Sequence, residues 1–184
     1  MSIGQWLPNS YQQKDFIMTT HATFIPKKCA TIANENIFQW KYGTIKKTAE
    51  FSDFYQGEFF GEFYWSIGGG MGTAAEENTF VFSMTLPYNG DDALPGVYTL
   101  DNGLSFLHGH WIPAPPGFNG FRTVDADSAT LNIINYNPVT DIVEGTFEAL
   151  FKSHGYRLNP KGTFTMKRLR PSTQMPDAQR KSTP

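Results

Sequence analysis

Two histidines separated by a single residue, His108-Gly109-His110, carry the most suggestive chemistry in this chain. Alternate side chains of a β-strand share a face, so both imidazoles project the same way, close enough to share a metal ion or a proton. They extend an apolar face formed by Leu104 and Phe106 before them and Ile112 after them. A buried imidazole needs partners for its ring nitrogens. His108 and His110 are therefore the candidate metal ligands, with a third to come from His21, His154, Glu58, Glu62, Glu144 or Glu148 by type. The alternative is a pair of strand-end histidines hydrogen-bonded to their neighbours.

Other chemistries find less support. Glu58 with Glu62, and Glu144 with Glu148, read as same-face pairs four residues apart on a strand. That spacing is about 13 Å, too long for two carboxylates to share a proton. The run Gly68-Gly69-Gly70-Met71-Gly72 lacks the Lys-Ser/Thr ending of a phosphate loop, and no Gly-x-Ser-x-Gly elbow is present to seat a hydrolase nucleophile. Cys29, the single cysteine, follows Lys27 and Lys28 without a nucleophile signature and cannot form an internal disulfide. No cofactor motif appears, and no residue is assigned a catalytic role. What remains is aromatic density: 16 Phe, 8 Tyr and 4 Trp. Such rings pack cores and also line apolar ligand sites. Trp111 and Phe118 flank a proline-rich loop next to the histidines, where a rim over a cavity mouth would lie. The candidate ligand-binding residues are thus Trp65, Phe82, Phe106, His108, His110, Trp111 and Phe118.

These side chains need a scaffold, and the pattern that supplies it has period two. Phe38, Trp40 and Tyr42 share a face of a strand expected over residues 37–48. Phe59, Phe63, Trp65 and Ile67 align on one side of a strand over 57–67, with Glu58, Phe60, Glu62 and Tyr64 opposite. Phe80, Phe82, Met84 and Leu86 align over 79–86, and further strands are expected over 97–100, 104–112, 129–136, 142–152 and 156–169. The run 68–72 reads as a flexible hairpin connection, and Asn89-Gly90-Asp91-Asp92 and Asp101-Asn102-Gly103 read as turns. Helical spacing is not sustained anywhere. Eight or nine strands with short connections imply an all-β chain, a single antiparallel β-barrel with a β-sandwich as the alternative. Residues 1–20 form an extension, residues 21–169 the barrel domain, and residues 170–184 a polar, disordered tail.

Residues 131–166 contain two copies of one tripeptide, Gly145-Thr146-Phe147 and Gly162-Thr163-Phe164, each within an expected strand. This stretch resembles the closing strands of small bacterial lipocalin-like (calycin-type) proteins. The resemblance implies a barrel whose interior holds a small apolar molecule, and it brings no catalytic residues with it.

The 184 residues carry 15 Lys and Arg against 17 Asp and Glu, a formal net charge of -2. There is no whole-chain basic field to capture nucleic acid or an anionic membrane, and no apolar run reaches the roughly 20 residues that span a bilayer. A cytoplasmic setting fits the single cysteine. Three functions follow as expectations: a non-enzymatic module binding a small apolar or aromatic molecule in the barrel; an enzyme using His108 and His110; or a protein-interaction domain, homo-oligomer included, with a filled barrel.

Overall fold

The alternating apolar pattern forms strands because it gives each strand one face to bury. The computed structural model describes residues 21–26, 36–116 and 118–170, and these form twelve strands: β1 (His21–Pro26), β2 (Ile37–Tyr42), β3 (Ile45–Thr48), β4 (Phe51–Phe59), β5 (Glu62–Met71), β6 (Phe80–Pro87), β7 (Gly96–Thr99), β8 (Ser105–Ile112), β9 (Phe118–Asp125), β10 (Ser128–Asn137), β11 (Ile142–Leu150) and β12 (Lys161–Lys167). Helix is limited, among the described residues, to two three-residue 3-10 turns. The expected extension at 1–20, Cys29 and the tail from residue 171 lie outside the described residues.

The strands make two antiparallel six-stranded sheets, the first in the order β1-β9-β8-β6-β5-β4 and the second in the order β3-β2-β12-β11-β10-β7. Neither sheet closes on itself, so the pairing gives two packed sheets, as in the sandwich alternative, in place of one closed barrel. Their inner faces meet in a single core in which Phe38, Trp40, Phe54, Trp65, Phe82, Phe106 and Phe151 are each at most 1% exposed. Rings from opposite sheets touch directly: Phe82 stands 6.2 Å from Phe147 and Trp65 stands 5.8 Å from Tyr136. The chain passes between sheets without a loop at two places. Ala49 N–H donates to Phe38 O of the second sheet at 2.8 Å, and the next amide, Glu50 N–H, donates to Gly70 O of the first at 2.7 Å. Ala126 and Asp127 repeat this with Phe106 O and Leu150 O, both at 2.8 Å.

Three sequence expectations change. The strand expected over 37–48 is a hairpin, turned at Gly43, whose φ of +58° suits glycine. The strand expected over 57–67 is also a hairpin: Phe60 (φ +51°) and Gly61 (φ +84°) make the turn, so Glu58 and Glu62 lie on adjacent strands instead of along one. Finally, Gly68, Gly69, Gly70 and Met71 belong to β5 and are not a connection. Glycine is needed there because rings lie flat on the strand: a Cβ on Gly69 would stand 2.5 Å from the Phe38 ring.

The repeated Gly-Thr-Phe has the same physical basis. Antiparallel pairing sets Gly145 opposite Phe164 and Phe147 opposite Gly162. Each phenyl ring covers the other copy's glycine, and a Cβ on Gly145 would come within 2.5 Å of Phe164 Cζ. Cross-strand aromatic–glycine pairs of this kind pin a strand register.

Candidate functional site

On β8, alternation turns Phe106, His108 and His110 inward and Leu107, Gly109 and Trp111 outward. His108 is 2% exposed. Its Nδ1 lies 3.0 Å from the Val81 carbonyl oxygen; a carbonyl only accepts, so Nδ1 carries the proton and Nε2 is the bare nitrogen. Burial pushes its pKa down to about 4; the Val81 hydrogen bond opposes the fall and the neighbouring His110 adds to it. His110 is also held below the usual histidine value, by burial and then by the Arg122 charge. Near neutral pH both rings are therefore uncharged.

The two imidazoles stack, with centroids 5.3 Å apart and planes 14° from parallel. The Tyr156 hydroxyl lies 3.4 Å from His110 Nε2, and His110 Nδ1 is buried without a hydrogen-bond partner among the described residues. Stacking bears directly on metal binding. Two nitrogens on one tetrahedral zinc ion sit about 3.4 Å apart with convergent lone pairs, whereas stacked rings hold their lone pairs side by side. A shared ion requires one ring to turn. Five of the third-ligand candidates do not gather here: Glu144 and Glu148 face outward on the second sheet, Glu58 and Glu62 sit at the far end of the first sheet, and His154 lies in the turn between β11 and β12; the side chain of the sixth, His21, lies outside the described residues. Among the described residues no group of three or more His, Cys, Asp or Glu side chains is arranged to hold a metal.

The structure brings four of the seven proposed ligand-binding residues together. Phe82 contacts Phe106 at 5.9 Å and His108 at 5.4 Å, and His110 stacks behind His108. These rings press on each other and on Phe147 and Phe151, filling the space between the sheets. Trp65 is at the opposite end. It pairs with Leu86 while His110 pairs with Phe80, a separation along β6 of about 20 Å. There the Arg168 guanidinium lies 4.6 Å over the indole, bonds Asp91 at 3.1 Å and Gln56 at 2.5 Å, and caps that end of the core. Trp111 sits on the outer face of β8 because it is an odd number of residues from His108 and His110. Phe118, 47% exposed, begins β9.

The sequence aligned Phe59 and Phe63 with Trp65 and set Phe60 on the opposite face, whereas the structure gathers all three at the exposed tip of the β4–β5 hairpin. Phe59 is 66% exposed, Phe60 93% and Phe63 50%. Phe60 also holds a left-handed backbone conformation that non-glycine residues adopt at a cost. Beside the tip, the outer surface of the first sheet forms an open groove of about 670 Å³ lined by Tyr55, Tyr64, Ser66 and Thr85, with Glu62 the single charged lining residue. The free side of β4 borders it. Leu169 N–H bonds Phe54 O at 2.7 Å; beyond that point, the outward backbone groups of Gln56 and Glu58 have no strand partner among the described residues. The signal in the sequence was the density Phe59-Phe60-Gly61-Glu62-Phe63, in which Phe60-Gly61 is a turn.

No family model, curated protein or solved structure matches the chain.

Proposed function

We propose that this chain is a non-catalytic binding domain that takes an extended, cationic segment of a protein partner along the free edge of β4, beside the aromatic tip of the β4–β5 hairpin. The carrying observation is that tip: Phe59, Phe60 and Phe63 lie in water at 66%, 93% and 50% exposure while the core has no need of them. Exposed rings clustered at one place mark an interaction surface. A strand edge with unpaired backbone groups accepts an added strand, its hydrogen bonds giving affinity and its neighbouring side chains giving selectivity. Charge selects the occupant. Glu62 is the one charged residue lining the groove and Glu58 precedes Phe59 on β4, so lysine and arginine side chains, which also pack on aromatic faces, complement it.

The scaffold in this reading is the pair of packed sheets. The chain turns from the second sheet to the first at residues 49–50 and back at residues 126–127. The interior is packed with rings, which favours a surface partner over a small molecule inside.

Titration with a synthetic peptide of alternating lysine and valine tests the proposal. Saturable binding that is lost in Phe59→Ser/Phe60→Ser and absent for an alternating glutamate–valine peptide supports it. Equal binding by wild type and variant overturns it, and so does a peptide-independent dimer that the same double substitution dissolves.

A further inference from the structure

The second sheet carries a charge arrangement that the strand edge does not use. Register places Lys41 of β2 directly opposite Lys46 of β3 on one side and Lys161 of β12 on the other. All three point to solvent on the outer face, with Cβ spacings of about 5 Å between neighbours. Like charges set directly opposite each other destabilise a sheet. Yet one carboxylate answers them: Glu148, which bonds Lys161 at 2.7 Å. Lys41, Lys46 and the nearby Arg157 have no hydrogen-bond or ion-pair partner among the described residues.

The lysine row borders two open grooves. One, of about 570 Å³, is lined by Lys41, Lys161, Arg157, Asn159 and Tyr42; the other, of about 350 Å³, shares Lys41 and Lys161 and adds Lys46. The larger is within the range of small-molecule sites, roughly 300–1,000 Å³. Gly43 of the β2–β3 turn also lines it. Cations in a row match a row of anions: Arg157 offers a fork of donors, the lysines offer point charges, and Asn159 and the Tyr42 hydroxyl offer neutral donors.

We propose that this end of the second sheet binds a small soluble oligophosphate, with Lys41 at the centre, Lys46 and Lys161 on either side and Arg157 across the groove. The concavity and its small volume favour a compact ligand over a flat membrane surface.

Calorimetric titration with inorganic tripolyphosphate at low ionic strength tests this. Binding is expected, weakened about tenfold or more in Lys41→Gln/Arg157→Gln, because charged hydrogen bonds are lost. It should be unchanged in Lys167→Gln, on the same face but about 20 Å along β12, and tightened in Glu148→Gln, where the competing carboxylate is gone. Added salt should weaken it. An affinity equal in wild type and the double variant overturns the proposal. So does binding to phosphatidylserine vesicles without binding to tripolyphosphate. All of these side chains are exposed, so the variants retain the fold, and a matching unfolding midpoint verifies that.

Discussion

Acidification should destabilise this protein through His108. His108 is 2% exposed, its Nδ1–H is committed to Val81 O, and its pKa in the fold is about 4. In the unfolded chain it returns to about 6.5. Between those values the unfolded state binds the extra proton, so stability is complete above about pH 7 and falls as pH drops. For one site with these two pKa values the loss between pH 7.5 and pH 5 is about 2 kcal/mol, and it approaches about 3 kcal/mol near pH 4. With a urea m-value of about 2 kcal/mol/M, the pH 5 figure is a fall of about 1 M in the midpoint. The assay is urea unfolding followed by tryptophan fluorescence at pH 7.5, 6.5, 5.5 and 5.0 for wild type and His108→Phe. Phenylalanine fills the site beside Phe80 and Phe82 and has nothing to protonate. Its midpoint should be much flatter with pH, the residual slope coming from His110, which is shifted the same way. Parallel curves for the two proteins would refute the reasoning, because the proton would then be entering elsewhere.

Three other outcomes follow from packing. Gly162→Ala puts a methyl against the Phe147 ring and the Gln39 carbonyl oxygen and should cost about 1–3 kcal/mol of unfolding free energy; Phe147→Leu in the same chain should recover the part due to the ring, and a fully additive pair would contradict the ring-over-glycine account. Removing Arg168, whose side chain is 13% exposed, takes the donor from Asp91 Oδ2 and Gln56 Oε1 while Tyr88 still donates to Asp91 Oδ1, so Arg168→Met should lose about 2 kcal/mol by denaturant titration, and Arg168→Lys should not restore it because one ammonium replaces a fork. Phe60→Gly should leave stability equal or raise it by up to about 1 kcal/mol, since the turn is left-handed there, while weakening the lysine–valine peptide; a loss of more than about 1 kcal/mol would mean the ring serves the fold.

The inward faces were legible from alternation alone. Phe38 with Trp40, Phe82 with Met84 and Leu86, and Val143 with Phe147, Ala149 and Phe151 are buried as that pattern requires. Turns built from unusual residues were not. Phe60 carries no turn signature, so a hairpin looked like one strand and Phe59 and Phe63 aligned with the inward Trp65. The glycines of β5 looked like a hinge because what they accommodate, the Phe38 ring, comes from the other sheet. Strands β1, β4 and β9 went unrecognised because His21–Pro26, Phe51–Phe59 and Phe118–Asp125 mix polar, glycine and aromatic positions without clean alternation. At the candidate sites, the shared face of His108 and His110 was local information and held. The Arg168 cap and the Lys46–Lys41–Lys161 row depend on pairing between distant segments, which no local window contains.

The claim that the edge of β4, and not the core, receives the partner can be read amide by amide. In a nitrogen–proton correlation spectrum recorded as the lysine–valine peptide is added, the amides of Gln56 and Glu58 should shift and gain protection from solvent exchange, with the indole signals of Trp40 and Trp65 unmoved. Shifts centred on Phe82, Phe106 and His108, with Gln56 and Glu58 unchanged, would contradict the account and return the binding site to the interior.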